Sequence, residues 1–560
     1  MHKNRRNLLK GGLALGGLGA FAAGYTDPLR KTLKGLTKGT AGEPTLDRIA
    51  GNALPPEFRI DPETGELHCT PGQVVSLTQC QGCWTQCGIR ARVDTQQNTI
   101  LRIAGNPYHP LSHENPTPYS LSVREAYRRL GGDSAILDRS TACARGAAML
   151  EQLTSPHRVI KPLKRVGPRG SGRWETISFE QLIQEVVEGG DLFGEGHVDG
   201  LRALRDLDTP IDPDNPEYGP KANQLMVTGT GDDGRRPLLT RFTFNAFGSR
   251  NFGHHGSYCT GGYRAGSGAL LNDLVKLSHT KPDWEHLRFA LFFGTSPAQS
   301  GNPYKLQGRQ LATARTEREF EYVVVAPALP NTASLAAGNK SVWFPVRPAS
   351  DSALAMAMIR WIIDHGRYDA QYLAQPGPAA MSKAGEPSWT NATHLVVSET
   401  GHPDEGRFLR GKDLGWSDAE AFVVCDAASG AWAAHTQEAP AMLFVDATVE
   451  VDGRPVRVKS SLQRLKEEAS KKTLDEYAAL CGAPPAAIAA LAEKFTSFGK
   501  QAAVVSQGGV MNGNAFYTAY AVTMLNALIG NLNAKGGTFV GGGAAVPTPP
   551  VPSRDRGGRW

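Results

Sequence analysis

Trp343-Phe344-Pro345-Val346-Arg347-Pro348-Ala349-Ser350-Asp351-Ser352-Ala353-Leu354 organises the reading of the whole chain. Its first half is an apolar strand edge that runs into proline. Its second half opens a helix: Asp351 can cap it, and Leu354, Met358, Trp361 and Ile362 recur at helical spacing until Gly366. Toward the N-terminus, Tyr322-Val323-Val324-Val325-Ala326-Pro327 is a short continuous apolar run, and Phe289-Ala290-Leu291-Phe292-Phe293-Gly294 is another that ends at glycine. Such runs read as parallel strands buried on both faces. Repeated strand–loop–helix units predict a doubly wound α/β fold. Ligands then bind at the carboxyl ends of the strands, and helix N-termini there favour phosphates.

Cysteine spacing carries the strongest chemical signal. Cys80-x2-Cys83-x3-Cys87 places three thiols within eight residues, and Cys143-Ala144-Arg145-Gly146 follows after a 55-residue gap. Disulfides are the ordinary use of cysteine in an exported protein, but three thiols this close suit a shared metal centre better. Zinc accepts four thiolates, although its ligands usually come as two pairs. Three clustered cysteines and one distant one form a common ligand set for a [4Fe–4S] cluster. Cys69, Cys425 and Cys481 stand in ordinary contexts and read as structural.

Composition bounds the alternatives. The 560 residues suffice for three or four domains, and 20% charged with 40% hydrophobic residues is a globular composition. The net charge is +6, but residues 1–22 hold four basic residues and no acid, which leaves 56 basic against 54 acidic elsewhere. That balance argues against a nucleic-acid partner, which needs a basic face. Asn4-Arg5-Arg6-Asn7-Leu8-Leu9-Lys10 followed by a Gly-rich apolar run reads as a twin-arginine export signal over residues 1–24, with Ala20-Phe21-Ala22 as a possible cleavage site. The run is too short and too rich in glycine to span a bilayer. A periplasmic location is expected.

Cys80-x2-Cys83-x3-Cys87 with Cys143-x-Arg145-Gly146 resembles the cluster domain of the molybdopterin oxidoreductases of the dimethyl-sulfoxide-reductase type. Trp343–Leu354 resembles their signature W-x-P-[IV]-R-P-G-[ST]-D-x-A-[LM], with Ala349 where glycine is usual. Phe293-Gly294-Thr295-Ser296-Pro297 resembles the first dinucleotide-contacting loop. Gln507-Gly508-Gly509, Leu528-Ile529-Gly530-Asn531 and Gly536-Gly537 resemble later ones. The resemblance covers residues 72–545. It implies a [4Fe–4S] cluster held by Cys80, Cys83, Cys87 and Cys143, and molybdenum bis(molybdopterin guanine dinucleotide). It also implies electron passage beside Arg145, a guanine contact at Asp351, and further cofactor contacts at Gly294, Thr295, Ser296, Arg347, Ser350, Gln507, Gly508, Gly509, Asn531, Gly536 and Gly537. The long gap between Cys87 and Cys143 suggests an inserted loop near Asn106–Tyr119.

The family's molybdenum takes a protein ligand roughly a hundred residues past the last cluster cysteine. Cys259, in Gly256-Ser257-Tyr258-Cys259-Thr260-Gly261-Gly262-Tyr263-Arg264, is the candidate, with Ser257 behind it. The small residues around it are read as room for a bulky cofactor. His255 and Arg264 are candidate contacts for a small anionic substrate. The resemblance implies an α/β architecture: a small [4Fe–4S] domain at 72–155 and two doubly wound parallel-sheet domains around a bis-molybdopterin site. One of these is expected from 156–247 with 482–545, the other from 248–481. Residues 546–560 read as a tail, and the family's closing C-terminal β-barrel-like domain is expected to be absent. Ala379–Pro440 reads as a surface insertion. The expected activity is anaerobic respiratory reduction of a sulfur oxyanion, tetrathionate to thiosulfate. Two partners are expected to feed it: an iron–sulfur electron-transfer subunit, together with a membrane quinol-oxidising anchor subunit. Thiosulfate, polysulfide or arsenate reduction and a non-catalytic remnant are the alternatives.

Overall fold

The structure, a computed structural model, describes residues 57–541 apart from 62, 65, 84, 114, 130–139, 230–235, 255, 257–260, 276–278, 297–303, 331–339 and 507–510. The chain divides into two units between Val159 and Ile160.

The first unit is built on an antiparallel meander of β1 (Gln73–Gln79), β2 (Gly88–Asp94) and β3 (Thr99–Gly105), in that order. Ile89, Ala91, Leu101 and Ala104 are buried in it, on both faces of the sheet. The 81–86 loop joins β1 to β2, closed by a Cys80 N–H bond to the Cys87 carbonyl at 2.8 Å. The segment expected as an insertion has a structural duty. His109 packs on Gly88, Ser112 donates to the Gly88 carbonyl, and His113 bridges to Ser140. Thr141 N–H then bonds the Ser112 carbonyl at 3.0 Å. Gly105 permits the passage: a Cβ there would lie 2.5 Å from the Thr141 nitrogen. This route delivers Cys143 to the start of helix α1 (Ala144–Ala147).

The second unit centres on a parallel sheet. Its strands are β4 (Phe289–Phe293), β5 (Glu321–Ala326), β6 (Ser341–Pro345) and β7 (Ala502–Ser506), ordered β6-β5-β4-β7. Alternation along β4 sends Phe289, Leu291 and Phe293 to one face and Ala290 and Phe292 to the other, all buried. The first face packs against Leu354 and Met358 of one helix, Ile488 and Phe495 of a second, and Val522 and Leu525 of a third. The second face meets Leu311 and Ala314 of the helix Tyr304–Glu317. Helices cover both faces, so the doubly wound reading holds for this sheet.

The domain division changes. Strand β7 pairs with β4, and residues 485–528 share the core of residues 289–363. The expectation that 482–545 joins 156–247, apart from 248–481, is therefore corrected. The physical reason is visible in 156–247, which buries too little to found a domain. Its helix Phe179–Glu188 buries none of its residues, and Phe179, Ile183 and Val186 are exposed. Among the described residues there is one four-stranded parallel sheet, not two. Ala379–Pro440 also differs from expectation. With Asp446–Ser460 it forms a β module with its own core, including Leu395, Val397, Leu409, Val423 and Val458. No described helix is long and apolar enough to cross a membrane.

Candidate functional site

In the first unit, the hairpin loop and the segment entering α1 bring cysteines together. The Cys80 Sγ lies 3.4 Å from the point where a Cβ on Gly146 would stand, and the Cys143 Sγ lies 3.8 Å from it. A Cβ on Gly82 would meet the Cys80 Sγ at 3.4 Å and the Met149 Sδ at 3.5 Å. Both glycines thus leave room beside sulfur. Their N–H groups point at it too: Gly82 N–H toward the Cys80 Sγ and Gly146 N–H toward the Cys143 Sγ, each at 3.4 Å. Burial pushes the Cys80 thiol pKa up; the Gly82 N–H opposes this, and Cys143 and Cys83 push it further up. Cys83 and Cys143 therefore lie near enough to act on Cys80, and the Cys87 carbonyl accepts from the Cys80 N–H. None of the described cysteines is in a disulfide.

Among the described residues, no three His, Cys, Asp or Glu are drawn together as around a single metal ion. The donor set does fit an iron–sulfur cluster, which needs four thiolates and gains from N–H donors to sulfur. Met149 was not foreseen. Its Sδ sits 3.5 Å from the Cys80 Sγ and shields that corner; nothing in a lone methionine six residues after Cys143 announces this. Arg145 is exposed on α1 and close enough to Cys80 to favour its thiolate.

In the second unit, the expected loops after β4 and after β6 lie at the carboxyl end of the sheet. The chain reverses its winding between β4 and β7, so the crevice between their carboxyl ends is the topological switch point, where doubly wound sheets bind ligands. Gly294, with φ +54°, and buried Thr295 follow β4, and Ser296 comes next. Ser506 ends β7; its hydroxyl is buried with no hydrogen-bond partner. It was missed because only the pairing of β7 with β4 brings it here. Asp351 opens the helix after β6 and is buried, and desolvation pushes its carboxyl up to about 6. A carboxyl so placed suits a ligand offering adjacent N–H donors, as a guanine edge does.

Other assignments are corrected. Ser350, not Asp351, occupies the cap position, and its hydroxyl donates to the Arg347 carbonyl at 2.6 Å. Arg347 turns away to the Ala479 carbonyl at 2.7 Å. Asn531 is fully buried and its side chain is used within the fold, on the Ala502 carbonyl, Asn526 and Thr538. Gly537 lies against the Asn531 carbonyl, and Gly536 N–H donates to Asp283. Asn531, Gly536 and Gly537 thus pack at the amino end of β7, where the Asn531 amide and the Gly536 N–H are used within the fold.

Helix α2 (Gly261–Leu270) carries Arg264. Two of its glycines, Gly262 and Gly266, serve helix packing. A Cβ on Gly262 would lie 2.4 Å from that of Ala515, and one on Gly266 would lie 2.1 Å from the Phe516 carbonyl. Cys259, Ser257, His255 and Gln507–Gly509 lie outside the described residues, as does the export signal.

Comparison with known proteins agrees with this chemistry. Residues 74–116 match the family described as Molybdopterin oxidoreductase Fe4S4 domain, a span containing Cys80, Cys83 and Cys87 but not Cys143. The chain is 57% identical over 540 residues to a tetrathionate reductase subunit of Salmonella typhimurium, covering 96% of this chain and 52% of that protein. It is 31% identical to a tetrathionate reductase subunit of Archaeoglobus fulgidus, covering 96% and 50%. It is 32% identical to a selenate reductase subunit of Mesobacillus selenatarsenatis, covering 84% and 48%. The chain thus spans about half the length of the curated relatives it matches. Its cofactors are a [4Fe–4S] cluster and molybdenum held by molybdopterin. The chain belongs to the molybdopterin oxidoreductases.

Proposed function

We propose that this chain is the cofactor-binding part of a reductase for a sulfur oxyanion, splitting tetrathionate at its central S–S bond. Two electrons enter that bond and two thiosulfate ions leave, so charge and atoms balance without a proton. The single observation that carries the reading is 57% identity along 96% of the chain to a tetrathionate reductase subunit. The molybdenum group, when bound, supplies the two-electron redox chemistry. Cys80, Cys83, Cys87 and Cys143 hold the cluster, and Arg145 stands beside the Cys80 corner as a fixed positive charge. Cys259 is the proposed molybdenum ligand, and Asp351 with the Gly294–Ser296 loop receives a guanine dinucleotide. Electrons arrive from a membrane quinol-oxidising anchor through an iron–sulfur partner protein. The twin-arginine pattern at residues 1–24 supports export of the folded, loaded chain to the periplasm.

The test is a reduced-viologen assay of the loaded protein against tetrathionate, thiosulfate, polysulfide, arsenate and selenate. Tetrathionate should give the highest kcat/KM. A preference of about tenfold or more for another acceptor would replace this substrate, and selenate is the sharpest rival because of the selenate reductase relative.

A further inference from the structure

The four cluster cysteines are not equally enclosed. Cys80 is buried, whereas Cys83, Cys87 and Cys143 are half-buried. Its enclosure is built by few groups. The Gly82 N–H points at the Cys80 Sγ at 3.4 Å, and the Met149 Sδ stands 3.5 Å from the same sulfur. A Cβ on Gly82 would touch the Cys80 Sγ at 3.4 Å and both the Met149 Sδ and the Arg145 Cγ at 3.5 Å. The chain stays close to helical from α1 through Ala148 into the helix Met149–Thr154. Arg145 and Met149, four residues apart, therefore fall on one side and come down on the same glycine. Arg145 is exposed at its end of this cover, and Met149 is half-buried.

A thiol at Cys80 can give its hydrogen to the thioether. As a cluster ligand Cys80 is a thiolate and has none to give. Met149 then presents bulk and a polarisable sulfur, but no N–H or O–H. It stands where water would otherwise reach the Cys80 sulfur and donate to it. The potential of an iron–sulfur cluster depends on hydrogen bonds to its sulfurs and on solvent exposure. One-electron reduction adds negative charge. Donors and water stabilise that charge and raise the potential, while a dry, non-donating neighbour leaves it uncompensated and keeps the potential low.

We propose that Met149 is a positioning residue for the electron-transfer centre: by keeping water and donors from the Cys80 corner, it holds the [4Fe–4S] cluster at a lower reduction potential than an open corner would give. The electron is then passed on more readily, as a reductase requires. The assignment rests on the cluster and not on which acceptor is reduced.

Redox titration of the full chain carrying its cluster, followed by electron paramagnetic resonance of the reduced form, tests this with Met149→Gln and Met149→Leu. Gln brings N–H donors on a side chain of similar length, and Leu keeps an apolar wall. Met149→Gln should shift the one-electron equilibrium toward the reduced cluster by about threefold to tenfold, tenfold being about 59 mV. Met149→Leu should stay within about twofold of the parent. Pulsed resonance in D2O gives a second reading: exchangeable deuterons near the cluster should increase in Met149→Gln and not in Met149→Leu. Iron content equal to the parent's shows that each variant assembles its cluster. If Met149→Gln does not, Met149→Ala, which admits water in place of the side chain, carries the same test. An equilibrium within about twofold of the parent in the polar or truncated variant overturns the proposal. So does an equal shift in Met149→Leu, which would place the effect in packing rather than in water and donors. A parent chain that assembles no cluster overturns it as well.

Discussion

Ala349 shows what one residue can cost. It stands where the family signature has glycine, and its φ is +61°, in the left-handed region that a Cβ disfavours. Ala349→Gly should raise stability by about 0.5–1 kcal/mol, the strain relieved less the entropy that glycine adds to the unfolded chain. Chemical denaturation of the two chains measures it, and a less stable glycine variant would contradict the strain. Two residues on, the Asp351 carboxyl titrates at about 6 when folded, above its ordinary 3.8, because burial removes its hydration. A raised carboxyl pKa means that the folded chain holds the proton more tightly than the unfolded one. Stability therefore falls as pH rises from about 4 to about 6 and stays lowered above that. Asp351→Asn removes the titration. In cofactor-free protein the variant should be more stable than the parent at pH 7, by on the order of 2–3 kcal/mol, and equal to it below about pH 4. Parallel pH–stability curves for the two proteins would show that Asp351 is not the group. With cofactor the ranking should reverse, since an amide cannot accept two N–H bonds from a guanine edge as a carboxylate can.

Elements meet at the distances their smallest residues allow. Helix α2 and the helix Ala515–Leu528 touch through Gly262 and Gly266. The backbone of one lies where the side chain of the other would be. Gly266→Ala must push the helices apart and should destabilise the chain by about 1–3 kcal/mol, the usual cost of overpacking. Gly513→Ala is the control, because a Cβ there meets nothing within 4 Å. Equal melting temperatures for the two variants would mean that the contact yields without cost.

Across the whole molecule, long-range packing builds both candidate sites. Cys143 reaches Cys80 because the 106–118 loop and the narrow crossing at Gly105 carry it back over the meander. Cys143→Ser should remove most of the bound iron and the visible absorption of the cluster. Cys481→Ser should retain both, because Cys481 is buried in the core of the other unit, where its thiol is hydrogen-bonded to the Ala478 carbonyl. Iron analysis of the two variants decides, and full iron in Cys143→Ser would remove that residue from the ligand set.

The local code of the chain determined its elements. Continuous apolar runs at Phe289–Phe293 and Tyr322–Ala326 read as strands buried on both faces, the spacing from Leu354 to Ile362 reads as a helix, and these elements form. The spacing of Cys80, Cys83 and Cys87 determined the metal chemistry, because a tight turn with three thiols has few other uses. Tertiary structure alone decided the partners. That β7 lies beside β4, a strand far away along the chain, depends on hydrogen-bond register and on a shared core, which no local window contains. The same holds for Asn531, whose amide is satisfied inside the fold. It holds for Gly262 and Gly266 of α2, which pack against the helix Ala515–Leu528. A residue's type limits what it can do; which of those things it does is decided by what the fold sets against it.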